Sequence, residues 1–553
     1  MNTVYGAAVF SGLASWRFLN RHTVRGDHAL ALYTTVFLLL YCVLRIFPPS
    51  FTYGEPLSLL LLVTTTYFTA LASATLLYRL SPLHPLAAYP GPVTWRLSSI
   101  VLAVVSYRGK RHVALDNLHR KYGTFVRIGP NALSVNSPNA GNQIYGAAHH
   151  MVKSESYTKP GHVGGVALFF KQEREEHAAR KKIWSTAFTG SATDNFFPPL
   201  ESRTWQLTRC IERRRDANGV VNLVDCISHW SYDFMGEMVF GGCNNLELMK
   251  NGDPEDLILG GKLATAVVDS VGQTPWLMDI IWHLPAGKSL HRLRHVSAVM
   301  MRRRVKETAE VAVRDFSSYL FEGDPHTGER ISMSDLEVES LIAIQAGSDN
   351  TASSIALCLF FLLAHGTAFK TLQDEVDAAF PDPTGPLDNG KLARLEFLNA
   401  AINESLRLGT PFFLPRIVPE GGVTIEGQFI PEGTIVALAG HSQQISEENF
   451  FPDPQIYRPE RWMPGGLGPK SILNKSAMYA FSSGPYVCIA KSFAIQEMRL
   501  VIARLVLTLD MRLPSTFDAT EFLKGFRNMR TSVFDKPLLV HASRRPGKSP
   551  ADL

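Results

Sequence analysis

Phe481-Ser482-Ser483-Gly484-Pro485-Tyr486-Val487-Cys488-Ile489-Ala490 places one cysteine in a Gly/Pro-rich loop, and an apolar run with helical character follows at Phe493-Ala494-Ile495. Glycine lets the backbone turn tightly, so the loop N–H groups can point at the sulfur. A thiolate held this way is a soft, electron-rich ligand for iron. On a haem iron it pushes electron density towards the opposite face, which favours oxygen activation over oxygen carriage. The competing reading is an ordinary core residue, because free cysteines are among the most buried residue types.

The stretch resembles the haem-binding signature of the cytochrome P450 family, Phe-x-x-Gly-x-Arg-x-Cys-x-Gly. Phe481, Gly484 and Cys488 match it in type and spacing, whereas Tyr486 stands where the family has arginine and Ala490 where it has glycine. The resemblance implies haem (iron protoporphyrin IX) as cofactor and Cys488 as the axial ligand of its iron. It places Phe481, Gly484 and Tyr486 around the cofactor.

Further matches follow the family's order. Glu404 and Arg407 sit three apart in a helical stretch and share a face. Taken alone, such a pair is commonly a solvated charge couple. Downstream, Tyr457-Arg458-Pro459-Glu460-Arg461-Trp462 resembles the family's Pro-Glu-Arg-Phe segment. The resemblance implies a buried cluster of Glu404, Arg407 and Arg461 bracing the cysteine loop.

Ser334-Asp335-Leu336-Glu337 has capping-box spacing, and a mainly apolar helix is expected from Leu341 to about Ala364, with Gly366 at its C-terminal stop. Ala346-Gly347-Ser348-Asp349-Asn350-Thr351 interrupts that helix with small and polar residues, which are costly inside a buried helix. One reading is a helix-packing notch. The other is a resemblance to the family's oxygen-side Ala/Gly-Gly-x-Asp/Glu-Thr-Thr segment, where a distorted turn leaves room for dioxygen. Asp349 then supplies the acid. Asn350 replaces the usual threonine but can still donate and accept hydrogen bonds, and Thr351 lies about 100° further around the helix.

His177 and Lys181 match the spacing of the family's Trp/His-x-x-x-Arg pair, which holds a haem propionate, with lysine in place of arginine. The alternative is a basic, solvated helix face. Arg416 corresponds to another family arginine that contacts a propionate. Its importance grows if Tyr486 has removed one cation.

The chain has 553 residues, 46% hydrophobic and 19% charged, with a formal net charge of +5. That charge is small for this length, and no basic run with interleaved aromatics suggests nucleic acid. The six cysteines show no C-x-x-C spacing, which argues against a zinc site or a disulfide framework. Leu57 to Tyr78 is uncharged and long enough to cross a bilayer. Ala29 to Leu44 is shorter but extendable across Arg45, and Val4 to Trp16 is weaker still. The apolar runs continue beyond the first, which argues against a cleaved signal peptide. Arg17, Arg21 and Arg25 precede the second run, Arg79 and Arg96 follow the third, and 48–56 holds no Lys or Arg. The positive-inside tendency puts that loop in the lumen and the remainder of the chain in the cytosol.

A helix is expected over 298–320, and short strand-like runs stand at 125–128, 132–135, 423–425 and 435–438, with Gly427 and Gly433 suggesting hairpins at the last two. These runs suit a mainly α fold with a small β-sheet component, and the resemblance implies the cytochrome P450 fold, preceded by transmembrane helices. The expected divisions are an anchor region at 1–80 with two or three spans, a proline-rich hinge at 81–96, a haem-thiolate catalytic domain at 97–543 and a frayed polar tail at 544–553. The resemblance implies a monooxygenase at the endoplasmic reticulum. It would take electrons from NADPH through cytochrome P450 reductase, with cytochrome b5 as a further donor. Asp349, Asn350 and Thr351 are the candidate catalytic residues. The stretches 162–170 and 412–414 would line a pocket for an apolar organic substrate. Two alternatives stand beside this reading: a reductase-independent isomerase or dehydratase, and a non-enzymatic haem-binding membrane protein.

Overall fold

Strand-like runs in this chain are short and helical ones long. The computed structural model describes residues 2–47, 56–157, 164–307, 314–409 and 412–548, and it is mainly helical with small sheets. In chain order, the helices that concern the site and its surroundings are α1 (Asn2–Leu19), α2 (Gly26–Ile46), α3 (Pro56–Leu80), α4 (Arg174–Ser185), α5 (Leu223–Phe240), α6 (Met333–Ala364), α7 (Glu396–Gly409) and α8 (Lys491–Thr508). The strands are β1 (Phe125–Gly129), β2 (Ala132–Val135), β3 (Val152–Lys153), β4 (Arg416–Ile417), β5 (Val423–Ile425), β6 (Gln428–Ile430) and β7 (Ile435–Leu438).

Helix α6 is apolar around most of its circumference, as a helix buried on all sides must be. It runs through the core against α5, α7 and α8. Its cap lies two residues before the one predicted. Ser332 Oγ accepts from the Asp335 N–H at 3.2 Å, while Ser334 Oγ lies 3.0 Å from Ser332 Oγ. Ser-x-x-acid occurs twice here in overlapping registers, and spacing alone does not rank them. At the other end His365 caps α6, and Gly366 opens the next helix instead of closing this one. The expected helix over 298–320 is two helices, Lys288–Lys306 and Phe316–Glu322, and 308–313 lie outside the described residues.

A five-stranded sheet has the order β1-β2-β7-β4-β3. β2 and β7 pair in parallel, with Ala132 opposite Ile435, whereas the other neighbours are antiparallel. Gly433 therefore does not turn β7 back as a hairpin partner of β6. Gly427 does make a hairpin, between β5 and β6, where Glu426 and Gly427 both have positive φ (49° and 75°). This matches the type I′ turn that suits strand twist.

Helices α2 and α3 are long and apolar enough to cross a membrane; α6 also is, but most of it is buried within the fold. Helix α1 packs on α3, and α2 reaches the catalytic region through its first residue. The Gly26 N–H donates to Asp279 Oδ2 at 3.2 Å. A Cβ on Gly26 would lie 1.8 Å from the Trp276 carbonyl oxygen, so only glycine fits. The turn after α1 is therefore packed against the helix Pro275–Trp282. Of the loop expected in the lumen at 48–56, residues 48–55 lie outside the described residues, as do 549–553 of the tail. The tail's first residues are not frayed: Arg544 ends a strand and Arg545 pairs with Asp377 at 2.6 Å. The proline-rich stretch after α3 is packed rather than free: Leu86 and Tyr89 are buried, and Tyr89 donates to the Phe429 carbonyl at 2.7 Å.

A chain beginning at Ser81 should retain haem yet bind membranes far more weakly than the full chain, because α2 and α3 are removed. Carbonate extraction of membranes checks this. Carbonate-resistant association of the shortened chain would place an anchor elsewhere.

Candidate active site

The cysteine loop is fixed by its backbone. The Cys488 N–H donates to the Phe481 carbonyl at 2.9 Å. Gly484 has φ +65°, and a Cβ there would lie 2.0 Å from the Tyr145 carbonyl oxygen. Lys181, from α4, donates through Nζ to the carbonyls of Pro485 (2.9 Å) and Val487 (3.2 Å). Burial pushes the Cys488 thiol up, opposed by the Ala490 N–H and by Lys181 and Lys491. The thiol is enclosed by protein yet retains accessible surface, because it faces an internal cavity of about 310 Å³.

Beneath the loop lies Glu404. Its carboxylate accepts two hydrogen bonds from Arg407 on the same helix (2.7 and 2.8 Å). Trp462 Nε1 donates at 2.8 Å, the Arg458 N–H at 3.1 Å and Arg461 Nε at 3.4 Å. Arg461 also binds the carbonyls of Phe450, Pro452 and Asp453. The three charged side chains are at most 1% exposed. Together they tie α7 to the segment that precedes the cysteine loop.

Across the cavity stands α6, which stays α-helical through Ala346–Thr351, without the distorted turn expected there. Asn350 Nδ2 donates to the Ala346 carbonyl at 3.1 Å, so the side chain takes up a backbone acceptor. Asn350 Oδ1 is buried with no hydrogen-bond partner among the described residues. Gly347 is both notch and cavity wall: a Cβ there would lie 2.4 Å from Met235 Cε on α5. Thr351 lines the same cavity and donates to Glu497 Oε2 at 3.2 Å. Burial pushes the Glu497 carboxyl up to about 8, so it is neutral at pH 7. Asp349 is not among the cavity-lining residues. It accepts from Tyr232 at 3.1 Å and from Gln345, and burial pushes its carboxyl up to about 6.

One wall is rich in cations. His177 stacks edge-on against Tyr486 with centroids 4.6 Å apart. Burial, reinforced by Lys153, Lys181 and Arg416, pushes it down to about 3, so it is a neutral donor. The Tyr486 hydroxyl donates to the Gln172 carbonyl at 2.8 Å, and the Arg416 guanidinium lies 4.8 Å from the Tyr486 centroid. Arg416 Nε and Arg530 Nη1 are buried with no hydrogen-bond partner among the described residues. A soft sulfur on one face, an apolar cavity and unpaired cationic donors at its edge fit a haem with its two carboxylates.

Sequence reasoning missed Lys153, Glu497 and Arg530. For Glu497 a signal exists, a lone acid within the apolar run of α8. Lys153 and Arg530 come from distant segments with no local mark. Of the expected pocket stretches, Phe169, Phe412, Phe413 and Leu414 line the cavity, and 162–163 lie outside the described residues.

The cytochrome P450 family profile matches residues 90–529. Cytochrome P450 67 of Uromyces fabae is 30% identical over 505 residues, covering 88% of this chain and 91% of the relative. Tryprostatin B 6-hydroxylase of Aspergillus fumigatus is 30% identical over 523 residues (92% and 89%). Cytochrome P450 monooxygenase BipB of Cochliobolus sativus is 31% identical over 449 residues (78% and 86%).

Removing one partner of the Glu404 cluster strands a buried charge, so Arg461→Ala should cost about 3–5 kcal/mol. Chemical denaturation followed by haem absorbance checks this. A loss below about 1 kcal/mol would reduce the cluster to the weight of a surface pair.

Proposed function

The chain belongs to the cytochrome P450 family of haem-dependent monooxygenases, and on that premise we propose that it hydroxylates an apolar organic substrate using one atom of O2. The observation that supports this reading is that Cys488 and Asn350 line one mainly apolar cavity. Hydroxylation is the reaction in the printed name of the tryprostatin B relative, and that name supports it here. Electrons come from NADPH through a separate reductase, with cytochrome b5 as a further donor. The haem supplies oxygen activation when bound, its electron richness set by axial thiolate.

The chain's own groups position and protonate. Cys488 would hold the haem iron through its sulfur, with its loop fixed by the Phe481 carbonyl on its N–H and by Lys181 on the Pro485 and Val487 carbonyls. Asn350 borders the cavity with Nδ2 fixed to the Ala346 carbonyl, and its amide orders water on the oxygen side. Thr351 Oγ1 borders the cavity and donates to Glu497, whose carboxyl burial favours in its neutral form as a proton reserve behind it. Asp349, set back from the cavity beside Tyr232, connects this region to the outside of α6. Phe169, Met235, Val239 and Ile342 exclude water and favour an apolar substrate. The cavity volume lies at the lower end of small-molecule pockets.

The same reading anchors residues 1–80 in the endoplasmic reticulum membrane, with 97–543 as the cytosolic catalytic domain and 81–96 as the connector. Contact of Gly26 with Trp276 and Asp279 supports placing the α1–α2 turn on the cytosolic side. An isomerase or dehydratase remains the second reading, because Asn350 replaces the family's threonine.

The test uses purified full-length protein, excess reductase, NADPH and 18O2, with product followed by mass spectrometry. One labelled oxygen per product, dependent on reductase, is expected. Turnover without NADPH would favour the isomerase. Asn350→Ala should leave substrate binding nearly unchanged but lower product formed per NADPH about fivefold, with hydrogen peroxide taking up the difference. That is the worth of about 1 kcal/mol in partitioning. Asn350→Thr should keep most of the coupling.

A further inference from the structure

Antiparallel pairing of β3 with β4 sets Lys153 directly opposite Arg416. Cross-strand partners project to the same face, and like charges there repel. Both side chains are buried, at 6% and 2% exposure, so water does little to screen them. The ring of Tyr486 stands between the two cations, 5.2 Å from Lys153 Nζ and 4.8 Å from the Arg416 guanidinium carbon. Arg530 flanks Lys153 on another side. It lies over Tyr157 (4.3 Å) and Phe169 (5.2 Å), the same two rings that Lys153 approaches at 5.4 and 5.7 Å.

The hydrogen bonds of this group do not neutralise it. Lys153 Nζ donates to the carbonyls of Leu168 (3.2 Å) and Phe169 (2.8 Å), which are uncharged. Arg416 Nη1 reaches the Pro415 carbonyl at 3.2 Å. Arg530 Nη2 binds the Ser156 carbonyl and hydroxyl. The Arg530 Nε contact with Asp269 is long, 3.5 Å, and Asp269 is already paired with Arg111 at 3.0 Å. Glu339 is held by Arg180. Burial, reinforced by Arg416, Arg530 and Lys181, pushes the Lys153 ammonium well below its ordinary value. Two buried basic groups and the half-buried Arg530 thus have one committed carboxylate near them, on Arg530, an arrangement that costs heavily unless an anion arrives.

We propose that Lys153, Arg416 and Arg530 form the seat of the haem carboxylates, with Lys153 supplying the cationic contact that tyrosine at 486 lacks. Tyr486 acts as the spacer: its ring faces both cations and its hydroxyl is committed to Gln172. The inference rests on the haem-thiolate reading above and assigns the edge of that site. Tyr486 and Arg530 line the cavity together with Cys488, and Lys153 and Arg416 lie behind that lining against the Tyr486 ring.

The test measures transfer of haem from full-length protein in nanodiscs to excess apomyoglobin, beside the ferrous carbon-monoxide spectrum. Lys153→Met should speed transfer about tenfold, the weight of a hydrogen bond to a charged group. Lys153→Arg should keep the wild-type rate. Tyr486→Arg alone should also loosen haem, because it sets a further cation between Lys153 and Arg416. Combined with Lys153→Met, Tyr486→Arg should restore slow transfer. If Lys153→Met yields no haem-loaded protein, recovery of loaded protein in the double variant supports the inference and its failure overturns it. Unchanged transfer in Lys153→Met, with a thiolate-type spectrum throughout, overturns this inference alone. Absence of that spectrum in wild type overturns the parent reading.

Discussion

One buried carboxylate organises the segments that lead towards the cysteine loop. Glu404 receives hydrogen bonds from Arg407, Trp462, Arg461 and the Arg458 backbone, with the charged side chains sealed from water. Burying a charge in this way is costly, and only full coordination offsets it. The coordination is spread over α7, the 458–462 turn and, through Arg461, the carbonyls of 450–453. None of these segments can shift without stranding a charge. The cysteine loop follows these segments in the chain and is held by its own hydrogen bonds, from the Cys488 N–H to the Phe481 carbonyl and from Lys181 to the carbonyls of Pro485 and Val487.

The oxygen-side helix shows packing and chemistry using the same residues. Gly347 is required because Met235 fills the space where a Cβ would go, and the close approach of α5 that follows brings Tyr232 to Asp349. Asn350 lines the cavity, ties its amide nitrogen to Ala346 and leaves its oxygen buried without a partner among the described residues. A side chain with two polar atoms can do both at once. An alanine could do neither, and a threonine has a single oxygen for both tasks.

What the sequence made legible was mainly local. The Glu404–Arg407 pair follows from spacing on one helix, and the short strands at 125–128, 132–135 and 423–425 follow from β-branched runs ended by turn residues. Cap choice was less legible because Ser332 and Ser334 each precede an acid by three residues. Gly433 looked like a hairpin residue, yet β7 pairs in parallel with β2, a long-range choice that no local pattern encodes. Lys153 carries no mark at all in the sequence. Its meaning appears only when β3 lies beside β4 and a lysine meets an arginine across the strands. Tyr486, which departs from the family pattern, becomes intelligible from that same juxtaposition.

The central claim is that Cys488 is the axial thiolate of a haem facing Asn350 across the cavity. The most direct measurement is the absorption spectrum of the ferrous carbon-monoxide complex in wild type and in Cys488→His. Imidazole donates less charge than sulfur, so the account predicts a thiolate-type spectrum in wild type and its loss in the variant even where haem remains bound. A thiolate-type spectrum that survives in haem-loaded Cys488→His would contradict it.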